Sequence, residues 1–286
     1  MIGFGQRLLS ALDAYGPLCV GIDPHVHLLA EWGLDADAAG VREFGLRVVD
    51  AAAGRVGVVK PQVAFFEAYG SRGFAALEEV MAAARAAGLL VIADAKRGDI
   101  GTTMDGYAAA WLTAGAPLEA DALTLSPYLG ADSLRATLTT AVRNGKGAFV
   151  LAATSNPEAY AVQSARTVDV AATDDQSVAE RVARDVAWIN GSVAFDGGLG
   201  PIGLVVGATV DRTVIGLPDD ALRGAPLLAP GFGAQGARPV DLPALFGPLS
   251  PNVVASESRS ILSAGPAALA GRIAEHAAQY REHAHD

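Results

Sequence analysis

Short apolar runs alternate with longer segments of helical periodicity along the whole chain. The apolar runs are rich in leucine or β-branched residues, and each is bounded by Gly, Pro, Asp or Ser. They predict eight strands, at 18–23, 56–62, 89–96, 122–127, 147–154, 202–209, 226–233 and 252–258. Their near-continuous hydrophobicity is typical of parallel strands that are buried on both faces.

The segments between these runs predict helices. Ala-rich stretches at 73–88, 132–145 and 177–190 repeat apolar residues at helical spacing. Eight alternating βα units favour an α/β fold, a single TIM (β/α)8 barrel that takes up residues 1–286 as one domain. A doubly wound sheet stays the alternative, because strand runs alone do not tell whether a sheet closes. The irregular stretch 155–176 predicts a long loop after the fifth strand.

Composition and charge narrow the possible partners. The chain is 51% hydrophobic and 18% charged, which supplies a large core, and its net charge of −10 disfavours nucleic-acid binding. Any anionic ligand must therefore meet a local cluster of positive charge. A lone cysteine, Cys19, cannot form an internal disulfide, and we expect it to be buried in a protein of the reducing cytoplasm. We find neither a signal peptide nor an apolar run of about 18 residues, so we expect no membrane span.

Polar residues close most of the predicted strands. In a TIM barrel the ligand site lies at the carboxyl ends of the strands, so these residues are candidates for function. Any one of them, taken alone, is better explained as a solvated strand end, whereas the whole set predicts a shared site. The set consists of Asp23, Lys60, Asp94, Lys96, Thr154, Ser155, Glu257, Ser258 and Arg259.

The densest group of charges lies in "VIADAKRGDIGTT", residues 91–103. Side chains alternate along a strand, so Asp94 and Lys96 are expected to face one cavity, whereas Asp99 follows Gly98 and belongs to the loop. Opposite charges about 4 Å apart attract by roughly 4 kcal/mol at an effective dielectric near 20, which keeps both groups ionised. An ion-pair network without catalytic function would use the same residues.

A second motif, "APGFGAQG" at 229–236, follows the seventh predicted strand. Its glycines leave room for backbone N–H groups to converge on an anion, and Gln235 adds a donor. Arg259 follows the eighth strand, where a guanidinium can bind a phosphate through two hydrogen bonds. Loops after strands seven and eight form the usual phosphate site of this architecture.

Together these motifs resemble the orotidine 5'-phosphate decarboxylase family, in its longer-chained subgroup. "DAKRGDIGTT" is similar to the family's D-x-K-x-x-D-I-x-x-T signature, "APGFGAQG" to its phosphate loop and "SRSI" to its arginine motif. The resemblance extends from "GIDP" (21–24) to "ESRSIL" (257–262). Phe232 departs from it, since the family often has a small aliphatic residue there.

The resemblance implies a cofactor-free decarboxylase of orotidine 5'-monophosphate and a role for each matching residue. Lys60, Asp94, Lys96 and Asp99 would form an alternating charge array, with Lys96 as the proton donor to C6 of the pyrimidine. Asp99, Ile100 and Thr103 would come from the partner subunit of a homodimer. The residues implied in substrate binding are Asp23 and Lys60 for the ribose hydroxyls, Ser155 for the pyrimidine amide, and Gln235 and Arg259 for the phosphate.

Two alternatives remain. Related barrels that decarboxylate or cleave sugar phosphates carry D-x-K-x-x-D as well, but they need a carboxylate at the end of the second strand to hold Mg²⁺. Lys60 stands at that position, so we expect no metal. The other alternative is a phosphate-ligand-binding barrel without catalysis. We interpret His25 and His27 as residues of a surface loop and His276 as a solvated residue of the C-terminal tail.

Overall fold

The computed structural model describes residues 2–168, 175–192 and 198–283. Within these ranges eight parallel strands form a closed barrel in which each strand pairs with its neighbours in the chain and β8 returns to β1. The TIM-barrel prediction is therefore confirmed, and every predicted strand overlaps an observed one. The strands are β1 (Leu18–Ile22), β2 (Val58–Pro61), β3 (Leu90–Arg97), β4 (Ala122–Leu125), β5 (Gly147–Ala153), β6 (Ile202–Val206), β7 (Leu227–Pro230) and β8 (Val253–Glu257).

Helices follow the strands and surround the barrel. They are α1 (Phe4–Tyr15), α2 (Val26–Glu31), α3 (Ala38–Ala52), α4 (Val63–Glu67), α5 (Gly70–Ala86), α6 (Gly101–Trp111), α7 (Arg135–Arg143), α8 (Ala159–Gln163), α9 (Val178–Gly191), α10 (Leu242–Phe246), α11 (Arg259–Leu262) and α12 (Gly265–His283). Short 3-10 helices cover Ala131–Leu134, Asp219–Leu222, Pro239–Asp241 and Gly247–Asn252. No helix within the described ranges is both long enough and apolar enough to span a membrane.

Local signals explain where several helices begin. The Asp37 carboxylate accepts the Gly40 N–H at 2.8 Å and caps α3, and the Ser177 hydroxyl accepts the Glu180 N–H at 3.0 Å and caps α9. The predicted loop at 155–176 contains the single turn α8, and its residues 169–174 lie outside the described residues.

The strands bury both faces, in two separate cores. Alternate strand residues point into the barrel, where α1 closes the amino-terminal end with Phe4, Leu8 and Leu12. Phe4 meets Phe149 of β5 edge to face, with ring centroids 6.0 Å apart. The intervening strand residues, such as Val20 and Val59, pack outward against the helices. Apolar side chains thus fill the barrel interior at its amino-terminal end, and a cavity can open at the carboxyl ends of the strands.

Cys19 belongs to the inner core and is fully buried, as the sequence predicted. Burial raises the pKa of its thiol to about 12. The thiol therefore stays protonated and serves as a small apolar packing group.

Candidate active site

A cavity of about 470 Å³ opens at the carboxyl ends of the strands. Its size suits a small-molecule ligand. Seven of the ten residues that the family resemblance implies in catalysis or substrate binding line it, from six different strand ends: Asp23, Lys60, Asp94, Lys96, Ser155, Gln235 and Arg259.

A larger and more open cavity, of about 700 Å³, lies beside the loop that follows β6. Its two arginines are already paired, Arg212 with Asp219 at 3.0 Å and Arg166 with Asp175 at 3.8 Å. Neutralised cations at an open surface offer little to an anionic ligand, so the smaller cavity is the better candidate for chemistry.

Asp94 sits between two ammonium groups at the floor of the smaller cavity. Its Oδ2 lies 2.9 Å from Lys60 Nζ and its Oδ1 lies 2.5 Å from Lys96 Nζ. Lys60 and Asp94 are buried, whereas 46% of the Lys96 side chain is exposed to the cavity. All three line the cavity, and Lys96 is the member of this array most open to a ligand.

The array keeps its members charged. Burial by itself would raise the pKa of the Asp94 carboxyl, but Lys60 and Lys96 outweigh this effect and hold the pKa well below its usual value. Burial would likewise lower the pKa of Lys60, but Asp94 and Asp23 overcome it and raise the pKa. Asp94 is thus held as an anion and Lys60 as a cation at neutral pH.

Strand β3 is irregular where it carries the array. Ala93 pairs with Leu123 and Arg97 with Leu125, so residues 94–96 face a single residue of β4. Lys96 has a φ of 49°, the one positive value at a non-glycine residue among the residues that the structure describes. Asp94 and Lys96 share the cavity as alternation predicted, but they do so through a bulge, a feature that commonly re-aims side chains at active sites.

Gln62, which sequence reasoning did not nominate, supports Asp94. With its amide nitrogen turned toward β3, it donates to the Asp94 backbone oxygen at 2.6 Å and to Oδ2 at 3.3 Å. The spacing of Gln62 could have identified it from the sequence, because it lies two positions after Lys60 and so faces the same side of the extended chain.

Asp23 closes β1 beside these charges. Its Oδ1 is buried and has no hydrogen-bond partner among the described residues. A buried acceptor without a donor is costly, so this oxygen is suited to a hydroxyl donor from a ligand.

The glycine-rich loop and Arg259 form the other end of the cavity. Gly231 and Gly233 have φ values of 121° and 70°, which favour glycine, and Gly233 N–H donates to the Ala237 oxygen at 2.7 Å. This closed turn presents Gln235 to the cavity opposite Arg259, which begins α11. Both side chains can donate hydrogen bonds to an anion.

Glu257 lies beneath this loop and is 1% exposed, so it is not a solvated strand end. Its Oε2 accepts from Ser260 Oγ at 2.5 Å and faces His276 Nδ1 at 3.0 Å, and its Oε1 accepts from Tyr280 at 2.6 Å. The expectation that His276 is solvated is wrong, because only 14% of its side chain is exposed. A side chain at Gly233 would press on Ser260 and on Glu257 Oε2, so the loop rests directly on this cluster.

Phe232, in the same glycine-rich loop, also contacts Tyr280 of this cluster. It is buried and meets the Tyr280 ring edge to face at a centroid distance of 5.6 Å. The aromatic residue in the loop thus packs against the last helix and also contributes to the cavity wall.

Asp99, Ile100 and Thr103 are not among the described residues that line the cavity of their own chain. The Asp99 carboxylate accepts the Ile100 N–H at 2.8 Å, just before α6 begins. Ile100 is 61% exposed. Thr103 is exposed as well, and Asp99 is half-buried.

The described residues contain no group of three or more His, Cys, Asp and Glu side chains placed to hold a metal ion. At the end of β2 the donor set is instead the ammonium of Lys60, which repels a cation. The arrangement is suited to stabilising negative charge on a bound ligand and to delivering a proton from Lys96.

Comparisons with known proteins agree with this chemistry. Residues 16–266 match the model of the family described as "Orotidine 5'-phosphate decarboxylase / HUMPS family". The chain is 52% identical over 271 residues to the orotidine 5'-phosphate decarboxylase of Streptomyces coelicolor, covering 95% of this chain and 94% of the relative. It is 49% identical over 272 residues to the enzyme of the same name from Salinispora tropica, with the same coverage of 95% and 94%.

Solved structures resemble the chain over its whole length. A crystal structure from Streptomyces avermitilis is 48% identical, with a TM-score of 0.92 over 100% of this chain and 97% of that one. The orotidine monophosphate decarboxylase of Leishmania donovani is 30% identical, with a TM-score of 0.71 over 98% and 99% of the two chains.

Proposed function

Because the chain belongs to the orotidine 5'-phosphate decarboxylase / HUMPS family, we propose that its cavity converts orotidine 5'-monophosphate to uridine 5'-monophosphate and CO₂. The observation that carries this proposal is Asp94 held between Lys60 and Lys96, with Lys96 open to the cavity. This activity makes the chain a carboxy-lyase of pyrimidine biosynthesis.

The reaction needs an electrostatic catalyst. When the bond between C6 and the carboxylate breaks, CO₂ leaves and the electron pair stays on C6 in an orbital orthogonal to the ring π system. Ring delocalisation cannot spread this charge, so a preorganised cation must stabilise it where it develops. The Lys96 ammonium supplies the cation and then transfers its proton to C6, and solvent restores the proton on Lys96.

Asp94 contributes in two ways. It fixes Lys96 Nζ at 2.5 Å, which orients the proton donor before the substrate arrives. Its carboxylate also lies where the substrate carboxylate must approach, and like charges in a partly dry site destabilise the bound substrate relative to the transition state.

The remaining lining residues hold the substrate. Asp23 and Lys60 bind the ribose hydroxyls, a role supported by the buried Asp23 Oδ1 that has no partner within the described chain. Ser155 binds the pyrimidine amide, and Gln235 and Arg259 bind the phosphate at the far end of the cavity. Binding energy from the remote phosphate orients C6 against Lys96, so losing it should lower turnover as well as affinity.

A homodimer completes the site in this proposal. Asp99, Ile100 and Thr103 do not line the cavity of their own chain, although they follow Lys96 closely in the sequence. The loops after β3 and β4 meet at Gly98 and Ser126, and both expose large apolar side chains: Ile100 is 61% exposed, Tyr128 85% and Leu129 55%. A two-fold contact through this face would cover these side chains and bring each Asp99 to the partner's cavity.

We extend the proposal to the organisation of the chain and to its location. Residues 1–286 are proposed to act as one catalytic domain, because the first helix, α1, and the last helix, α12, pack on the same barrel. A cytoplasmic location is supported by the free, buried thiol of Cys19.

One assay tests the function. The chain is produced in a host that lacks its own orotidylate decarboxylase, treated with a chelator, and assayed by the loss of orotidylate absorbance. Turnover is expected without added metal. Mg²⁺-dependent cleavage of a sugar phosphate without turnover of orotidylate would favour the metal-dependent sugar-phosphate lyases, and binding of orotidylate without turnover would favour a phosphate-ligand-binding barrel.

A further inference from the structure

Thr124 of β4 is the residue that faces the bulge of β3. Residues 94–96 lie between the pairs Ala93–Leu123 and Arg97–Leu125, so Thr124 is the one β4 residue opposite them. In a regular ladder the backbone of β4 would bond the backbone of β3 here, and the bulge interrupts that pattern. The left-handed φ of 49° at Lys96 is unfavourable for a residue with a Cβ, so the surroundings must hold it in place.

The Thr124 hydroxyl makes two hydrogen bonds to the bulge. Its Oγ1 accepts the Lys96 N–H at 2.9 Å and donates to Asp94 Oδ1 at 3.0 Å. The residue is 1% exposed, so water does not readily replace these bonds. Only a hydroxyl can accept from the amide and donate to the carboxylate with a single atom.

Lys96 is thereby fixed at both ends by connected groups. Thr124 holds its backbone, and Asp94, which Thr124 also holds, binds its Nζ at 2.5 Å. The lysine side chain is otherwise half exposed. Its position relative to a ligand therefore depends on the bulge and on the Asp94 carboxylate.

We propose that Thr124 is a positioning residue that sets the place of the Lys96 ammonium for proton transfer, an inference that rests on the proposed function. Removing its hydroxyl releases the Lys96 amide and one oxygen of Asp94 together. The bulge then relaxes and Nζ leaves the position from which it stabilises C6. Because the phosphate and ribose contacts lie elsewhere in the cavity, the loss should fall on kcat and spare substrate affinity.

The decisive variant is Thr124→Val, which keeps the shape of the side chain and removes both hydrogen bonds. Thr124→Ser keeps the hydroxyl and serves as the conservative rescue. The matched control is Thr137→Val: Thr137 is also fully buried and uses its hydroxyl for a bond to Met104 O, but it lies on α7 outside the cavity. Each protein is assayed for kcat and KM with orotidylate, for inhibition by uridylate and for thermal unfolding.

We expect Thr124→Val to lose about tenfold to hundredfold in kcat while KM and the uridylate inhibition constant stay within about threefold of wild type. Thr124→Ser should retain most of the turnover, and Thr137→Val should change no kinetic parameter. A crystal structure of Thr124→Val should show Lys96 Nζ displaced from Asp94 Oδ1.

Several outcomes would overturn the role of Thr124. An unchanged kcat in Thr124→Val would contradict it, and so would a loss of kcat in Thr124→Ser as large as that in Thr124→Val. A raised KM with a normal kcat in Thr124→Val would instead make Thr124 a direct substrate contact, since it also lines the cavity. If Thr124→Val does not fold, Thr124→Ala takes its place, and failure of both to fold would make the residue a purely structural one. A wild-type chain without turnover would contradict the proposed function itself, whereas an active wild type with an equally active Thr124→Val contradicts only this inference.

Discussion

The Tyr280 hydroxyl donates a 2.6 Å hydrogen bond to Glu257 Oε1 and so fastens the last helix to the end of β8. Both groups are buried, and burial, reinforced by the charge of Glu257, raises the pKa of the Tyr280 phenol well above its usual value. Ser260 and His276 meet the other carboxylate oxygen. The loop that carries Gln235 rests on this cluster, so the geometry of the cavity at Gln235 depends on a buried anion that does not itself line the cavity.

This cluster predicts a pH-dependent contribution to stability. Burial would raise the pKa of Glu257, but the hydrogen bonds from His276, Ser260 and Tyr280 outweigh it and hold the pKa below the ordinary value of 4.5. The ionised group therefore stabilises the fold above pH 4.5, and this stabilisation is lost as the pH falls through the lower folded-state pKa. Glu257→Gln should reduce the free energy of unfolding by about 1–3 kcal/mol at neutral pH, and the difference from wild type should shrink in acid.

Urea unfolding of both proteins across the acidic range measures this difference. Carboxylates that titrate in both proteins cancel from it. Glu31→Gln, at the exposed end of α2, serves as the control and should give a small difference in the free energy of unfolding. A Glu257→Gln difference that stayed constant with pH would show that Glu257 contributes packing and not charge.

Lys96→Ala should abolish decarboxylation and leave the fold intact. The truncation removes both the cation that stabilises C6 and the proton that C6 receives, so we expect a loss of at least about a thousandfold in kcat. The circular dichroism spectrum should not change, because the Lys96 side chain is half exposed and contributes little to the core. Turnover within about tenfold of wild type, roughly 1.4 kcal/mol of barrier, would rule Lys96 out as the proton donor.

The sequence predicted the strands and the barrel well because burial on both faces of a parallel sheet leaves a strong local signal. The number of βα units predicts that the sheet closes. The closure itself depends on the pairing of β1 with β8, which lie at opposite ends of the sequence. The convergence of Asp23, Lys60 and Arg259 on one cavity follows from that architecture, since each closes or follows a strand.

Other features had no local signal. Thr124 lies in an apolar run, and nothing in "ALTLSP" shows that its hydroxyl meets a bulge in the preceding strand. The left-handed backbone occurs at Lys96, where no glycine marks it. Glu257 resembled a solvated strand end because its partners His276 and Tyr280 lie on a helix 19 and 23 residues later in the chain.

Arg259→Ala should weaken binding of substrates that carry the 5'-phosphate far more than binding of the nucleoside. The truncation removes charge-assisted hydrogen bonds that only the phosphate can accept, so we expect about a tenfold to hundredfold rise in KM for orotidylate. Affinities of uridylate and uridine measured side by side separate the two contributions. Arg238→Ala is the matched control, because Arg238 lies near the same loop but is 72% exposed and bound to Asp241. Equal losses for nucleotide and nucleoside would place the phosphate elsewhere.

The last prediction concerns the subunit that supplies Asp99. If each site takes Lys96 from one chain and Asp99 from its partner, Lys96→Ala and Asp99→Ala homodimers are both inactive. In a mixed dimer one site carries both lesions and the other carries neither. After random subunit exchange about half of the dimers are mixed, so about a quarter of all sites should regain native composition and activity. Turnover of the mixture, with exchange followed by mass spectrometry, measures this recovery.

The structure offers a matched control for this experiment. Lys60 and Lys96 of one chain bind the same Asp94 carboxylate, so they belong to the same site. A mixture of Lys60→Ala and Lys96→Ala subunits therefore leaves every site with one lesion, and its activity should not recover. Recovery in the first mixture alone would assign Asp99 to the partner subunit. If exchange occurs and neither mixture recovers, Asp99 acts within its own chain or has no essential role.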